Sequence, residues 1–194
     1  MPHSWPTSGG GLIRADGPLN TADGALLRTL AKTVSERTLD DLAHMTRRHK
    51  RHQETSLRLA EYTLNNYAKC HPVGCPGGDL YTQYILYQKQ FKRHHFGAFC
   101  RQADEWVPIV VEWKGNAIAT SAAQVNFFVF LNDMRVLEWL QRVDGGVSNA
   151  QRVHEHRRAA SRRSASRRGV QKRRTTLNPV WATPGGSVNV VVKR

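Results

Sequence analysis

SAAQVNFFVFLNDMRVLEWLQRV, residues 121–143, is the stretch on which the fold turns. Ser121 followed by Gln124 is a capping box, in which the hydroxyl takes an orphan N–H at a helix start. Behind it Phe127, Phe130, Leu131, Met134, Leu137 and Leu140 recur at helical spacing, while Val125, Phe128, Val136 and Trp139 extend the apolar surface around the other side. The pattern predicts one long helix over 122–143, ended by Gly145-Gly146. A helix apolar around so much of its circumference is either central in a core or part of a self-association surface.

Immediately upstream lies the best strand, Val107-Pro108-Ile109-Val110-Val111-Glu112-Trp113. Lys114-Gly115-Asn116 then makes a tight turn and Ala117-Ile118-Ala119-Thr120 pairs back as a hairpin. Further out, Asp79 is placed to cap a helix carrying Leu80, Tyr84, Tyr87 and Phe91, and Phe96-Gly97-Ala98-Phe99 could open a short helix through Arg101. The order of elements over residues 79–120 suits a winged helix, a fold-level analogy that names no family. On that reading Lys92, Arg93, Arg101 and Lys114 are the cations available to a groove.

Residues 21–69 read as helices. Leu26, Leu27, Leu30, Ala31 and Val34 form one stripe, then Thr38 and Asp41 suggest a variant capping box before Leu39, Leu42, Ala43 and Met45. The run Arg47-Arg48-His49-Lys50-Arg51-His52 interrupts the apolar pattern. It is either a solvated turn or a second phosphate-binding patch through Arg47, Arg48, Lys50 and Arg51. The pattern resumes at Leu57, Ala60, Tyr62, Leu64 and Tyr67 and stops at Cys70-His71-Pro72, because Pro cannot continue a helix. Residues 1–20, with Gly9-Gly10-Gly11, read as a flexible lead-in. The expected fold class is therefore mainly α with a small β-hairpin, an α+β body spanning residues 21–148. It is followed by an Arg-rich disordered segment (149–176) and a C-terminal strand-like segment (177–194) built on Trp181 and Val188-Asn189-Val190-Val191-Val192.

The charge is unevenly placed. The chain of 194 residues has 29 Lys plus Arg against 15 Asp plus Glu, a net +14. Residues 151–174 hold ten of those cations (Arg152, Arg157, Arg158, Arg162, Arg163, Arg167, Arg168, Lys172, Arg173 and Arg174) against one acid, Glu155, a local net of +9. With Lys193 and Arg194 set aside, only +3 remains for residues 1–150. Basic pairs fall every five residues, which advances an α-helix by about 500° and suits an extended strand along a phosphate backbone better than one helical face. Guanidinium matches phosphate by two parallel hydrogen bonds, and the absence of aromatics leaves no base-stacking platform. Ser161, Ser164 and Ser166 stand between Arg pairs, where phosphorylation would cancel charge.

Composition also sets exclusions. No run approaches the roughly 18 apolar residues that span a bilayer, so no membrane partner is expected. Three Cys cannot build a disulfide framework, and the first residues have no secretory apolar core. Both point to an intracellular protein of the nucleus or of a virion. Cys70, Cys75, His95 (or His94) and Cys100 could supply four ligands to a structural zinc, although the spacing matches no tight knuckle. Cys100 beside a histidine is a conceivable nucleophile, but no oxyanion hole, P-loop, dinucleotide fingerprint or zinc-protease motif accompanies it, so no enzyme is expected. The leading expectation is a non-catalytic, sequence-blind nucleic-acid-binding or packaging protein. It would have a self-associating body, DNA or RNA as partner, and a viral nucleoprotein, capsid or chromatin role. The alternative is a sequence-specific transcriptional regulator using residues 79–120.

Overall fold

The computed structural model describes residues 3–46, 57–91, 95–99, 108–143 and 145–175. It divides the chain into two units, Met1–Gln151 and Arg152–Arg194. The class is α+β, mainly helical with a small antiparallel sheet.

In the first unit everything is arranged about α6 (Ala122–Asp133). Its residues Ala122 to Leu131 are all buried, including Gln124 and Asn126, so this helix is the core of the unit. Ser121 caps it as expected, its Oγ accepting from the Gln124 N–H at 3.2 Å. The long helix does not run through, however. Arg135 adopts the left-handed conformation (φ 54°, ψ 31°) and separates α6 from α7 (Val136–Arg142). Leu137 and Leu140 of α7 are buried with the core.

Around α6 pack α1 (Thr21–Thr33), α2 (Glu36–Thr46) and α5 (Leu80–Gln90). Asn20 and Asp79 cap α1 and α5, accepting from the Asp23 and Thr82 N–H groups. The cap of α2 is Ser35, whose Oγ accepts from the Thr38 N–H at 3.2 Å. Thr38 thus lies inside the first turn instead of starting the helix. Residues 57–70 form α3 (Leu57–Tyr62), a π-helical stretch (Thr63–Tyr67) and α4 (Ala68–Cys70), ending before His71-Pro72 as expected. Tyr84, Tyr87, Phe96, Phe127 and Phe130 meet as one aromatic cluster, with ring centroids 5.0–6.0 Å apart. Such tilted and edge arrangements add to plain area burial.

The expected hairpin is present as β5 (Pro108–Trp113) and β6 (Asn116–Ser121), with Lys114 (φ 49°) and Gly115 (φ 73°) in the two-residue turn. It is half of a four-stranded sheet. Residues 1–20 are not a loose lead-in: they supply β1 (His3–Pro6) and β2 (Leu12–Ala15), and the antiparallel order is β1-β2-β5-β6. Ile13 pairs with Val111, and Ile13, Ala15, Ile109 and Val111 bury one face, the period of two expected of a half-covered sheet. A further two-stranded turn, β3 (Gly74–Cys75) and β4 (Gly78–Asp79), precedes α5.

The glycine run has a structural reason. Within the turn, the Thr7 N–H donates to the Gly11 carbonyl and the Gly11 N–H to Thr7 Oγ1, both at 2.8 Å. The Ser8 N–H donates to the Ala31 carbonyl at 2.9 Å, the Gly9 N–H to the Val34 carbonyl at 3.0 Å, and Ser8 Oγ to the same Val34 oxygen at 2.8 Å. The turn therefore satisfies carbonyls at the end of α1 that the helix leaves unpaired. A Cβ on Gly9 would stand 2.4 Å from the Glu36 nitrogen, so only glycine allows this approach.

In the second unit the backbone of α8 (Gly146–Thr175, which begins in the first) is helical throughout. This differs from the extended strand that the five-residue period suggests. No Pro interrupts residues 146–175, and Arg, Ala, Gln and Lys are strong helix formers, so local propensity favours the helix. The strand-like terminus, residues 177–194, lies outside the described residues.

Candidate nucleic-acid interface

Three cations of the first unit, Arg14, Arg37 and Lys114, are paired with acids of the same unit. Arg14 Nη1 lies 2.8 Å from Glu112 Oε1, Arg37 pairs with Glu138, and Lys114 Nζ lies 2.9 Å from Asp40 Oδ1. The indole N–H of Trp113 also donates to Asp40, and together with Lys114 it holds that carboxyl below the usual carboxylate range. Exposed pairs of this kind add little stability, but each cancels the local field a polyanion would sense there. Lys114, the cation at the hairpin tip, sits over the Trp113 ring at 4.7 Å and is engaged with acids of α2. An open depression beside it is lined by Gly10, Gly11, Trp113 and Asn116.

The winged-helix expectation meets a different arrangement. Residues 95–99 are described and do not form an α-helix. They lie across the start of α6, where Gln124 Nε2 donates to the Ala98 carbonyl at 2.9 Å and Asn126 Nδ2 to the His95 carbonyl at 3.0 Å. Gln124 Oε1 accepts from Thr120 Oγ1 at 2.7 Å. These two buried amides hold an irregular segment that would otherwise leave carbonyls unsatisfied. Lys92, Arg93 and Arg101 lie outside the described residues, as do Arg47, Arg48, Lys50 and Arg51 of the second candidate patch.

Among the described residues the metal candidates Cys70, Cys75 and His95 are not gathered. Cys70 is exposed on α4, and Cys75 is half-buried with its Sγ 3.7 Å from Met134 Sδ. Burial pushes the Cys75 thiol up. His95 is buried, and its Nε2 lies 2.7 Å from Asp23 Oδ1, a partner on α1 that spacing alone does not reveal. Cys100 and His94 lie outside the described residues. Among the described residues no group of three or more His, Cys, Asp or Glu side chains could hold an ion. Nor, among them, is any helix long and apolar enough to cross a membrane.

The charged segment falls on α8. Arg152, Arg157 and Arg158 are exposed, as are Val153, Glu155 and His156. Beyond Ser161 the backbone alone is described, so Arg162, Arg163, Arg167, Arg168, Lys172, Arg173 and Arg174 are placed by helical register. A five-residue repeat steps each pair about 140° around the axis, so successive pairs occupy different sides of the cylinder. From Arg157 to Arg174 the helix rises about 26 Å. The register also sets like charges four apart at Arg158 and Arg162, Arg163 and Arg167, and Arg168 and Lys172. Each such pair opposes the helix by about 0.2–0.5 kcal/mol. The helix is thus supported by propensity and opposed by its own charge, and a polyanion would relieve that opposition.

Comparisons with family models, with curated proteins and with solved structures each return no match.

Proposed function

We propose that this protein is a non-catalytic nucleic-acid-binding and packaging protein. In this reading α8 neutralises phosphate without reading bases, and the unit Met1–Gln151 is the folded, self-associating body of a nucleoprotein, capsid or chromatin component. The supporting observation is the ten cations against a single acid in residues 151–174. The segment is helical, with its described arginines exposed and with no Phe, Tyr or Trp to stack on a base. Distribution around the cylinder suits a partner that meets the helix from several directions, as packed nucleic acid does. The nucleus or the interior of a virion is where such a protein works.

The test replaces Arg157, Arg158, Arg162, Arg163, Arg167 and Arg168 with Gln in the full chain and measures binding to a random-sequence DNA duplex and RNA strand. Ten phosphate contacts give a log–log salt slope of up to about −9, and loss of six leaves about −4. Affinity at physiological salt should fall at least about 100-fold, equally for every sequence. Unchanged affinity refutes the proposal. A site preference that survives the replacement would instead favour a sequence-specific regulator. Light scattering of the wild-type complex should show large closed particles if the body self-associates.

A further inference from the structure

From the helical register of α8 we infer that Ser161, Ser164 and Ser166 are a phosphorylation site that switches this helix off as a phosphate binder, an inference that rests on the proposed nucleic-acid reading. On an α-helix, residues three and four apart are surface neighbours. Ser161 follows Arg157 and Arg158 by four and three residues, and Ser166 follows Arg162 and Arg163 by the same spacing. Ser164 precedes Arg167 and Arg168 by three and four. Each serine therefore has its own arginine pair, and no pair is shared. In an extended chain the same residues stand about 10–14 Å apart, and this one-to-one assignment does not exist. It is the helix that creates it.

The chemistry is phosphoryl transfer from a nucleoside triphosphate, catalysed by a protein kinase whose acidic groove accepts arginine-flanked serines. Serine Oγ forms a bond to the γ-phosphorus, the bond from that phosphorus to the β,γ-bridging oxygen breaks, and the nucleoside diphosphate leaves. The hydroxyl proton passes to the base of the kinase. Ser161 is exposed. A helix carrying so many like charges opens readily to an enzyme that needs extended substrate. Each phosphate carries about −1.5 to −2 charges and three acceptor oxygens, so it would hold its neighbouring arginine pair within the helix. Three phosphates bring the local charge from +9 to about +3 to +4.5 and occupy six of the ten cations. What remains for nucleic acid is Arg152, Lys172, Arg173 and Arg174.

The experiment treats the full chain with an arginine-directed protein kinase and ATP, maps the phosphate by mass spectrometry, and records far-ultraviolet dichroism and duplex-DNA binding before and after. The Ser161→Ala, Ser164→Ala, Ser166→Ala triple variant is the control. Expected are phosphate at the three serines, a gain in helicity, a salt slope falling from up to about −9 to about −4, and affinity lowered about 100-fold or more at physiological salt. The control should bind as the unmodified chain does and ignore the kinase. Phosphate found only elsewhere overturns the site. Phosphate at the serines with unchanged slope overturns the switch and leaves nucleic-acid binding in place. An unmodified chain that does not bind duplex or RNA refutes the nucleic-acid reading instead, and the helicity change then decides whether the arginine pairing is real.

Discussion

Replacement of Gly9 by Ala separates an ordered N-terminal turn from a flexible one. The added methyl would meet the Glu36 nitrogen at 2.4 Å and the Ser35 carbonyl carbon at 2.5 Å, both backbone atoms of the α1–α2 junction. Backbone cannot swing aside as a long side chain does, so the turn has to retreat by roughly 1 Å, the shortfall from ordinary contact. That retreat breaks the hydrogen bonds from the Ser8 and Gly9 N–H groups and from Ser8 Oγ to the Ala31 and Val34 carbonyls. At about 1 kcal/mol net for each bond, the cost is about 3 kcal/mol. In urea, with a slope of about 2 kcal/mol per molar, the midpoint should fall by about 1.5 M. Gly24→Ala is the matched control, since its Cβ meets nothing nearer than Arg28 Nη2 at 4.0 Å and helix propensity favours alanine by about 1 kcal/mol. Gly24→Ala should therefore raise the midpoint. A Gly9→Ala midpoint within about 0.2 M of wild type would refute the docking of the turn.

Three other substitutions probe the first unit. Arg135→Gly removes a side chain from a left-handed position and should stabilise by about 0.5–1 kcal/mol, read as a rise in thermal midpoint. Gln124→Leu deprives the Ala98 carbonyl and the Thr120 hydroxyl of buried partners and should cost about 1–3 kcal/mol by denaturant titration. Asp41 has a buried Oδ2 that accepts no hydrogen bond, and burial raises its carboxyl above the usual range. Because folding favours its protonated form, the wild type should lose stability as pH rises through that raised pKa, whereas Asp41→Asn should not. The variant should be more stable by about 0.5–1 kcal/mol near neutral pH, with the difference shrinking in acid, as measured by urea midpoints at both.

Periodicity made the helices legible wherever an apolar stripe faced one core. The caps Ser121 and Asp79 and the hairpin about Lys114-Gly115 were equally visible, because each is decided by residues within a few positions. The break at Arg135 was not, since no Gly or Pro marks it and the apolar spacing runs through it unbroken. Residues 1–20 misread for a related reason. Their glycines look like freedom until α1 presents carbonyls for them to meet, and β2 joins the rest of the sheet only through β5. His95 carries no local sign that Asp23 is its neighbour. In the charged segment, the composition was plain and the conformation was not. A five-residue period weighed against helix as a recognition face, yet it says nothing against helix as a backbone preference.

The pairing of Leu12 with Glu112 also orders events in time. Strand β2 can find its sheet only after the chain as far as β5 has left the ribosome. At about 5–20 residues per second, that delay is about 5–20 s. During it the N-terminal hairpin offers an open strand edge, while α1 to α5 already seek a core whose central helix has not been made. Closing so long a loop is an entropic step that precedes any reward from burial. Residues 12–15, made long before β5, are therefore among the last to be secured. An N-terminal fusion partner, which delays their docking further, should lower the yield of folded protein more than the same partner at the other end.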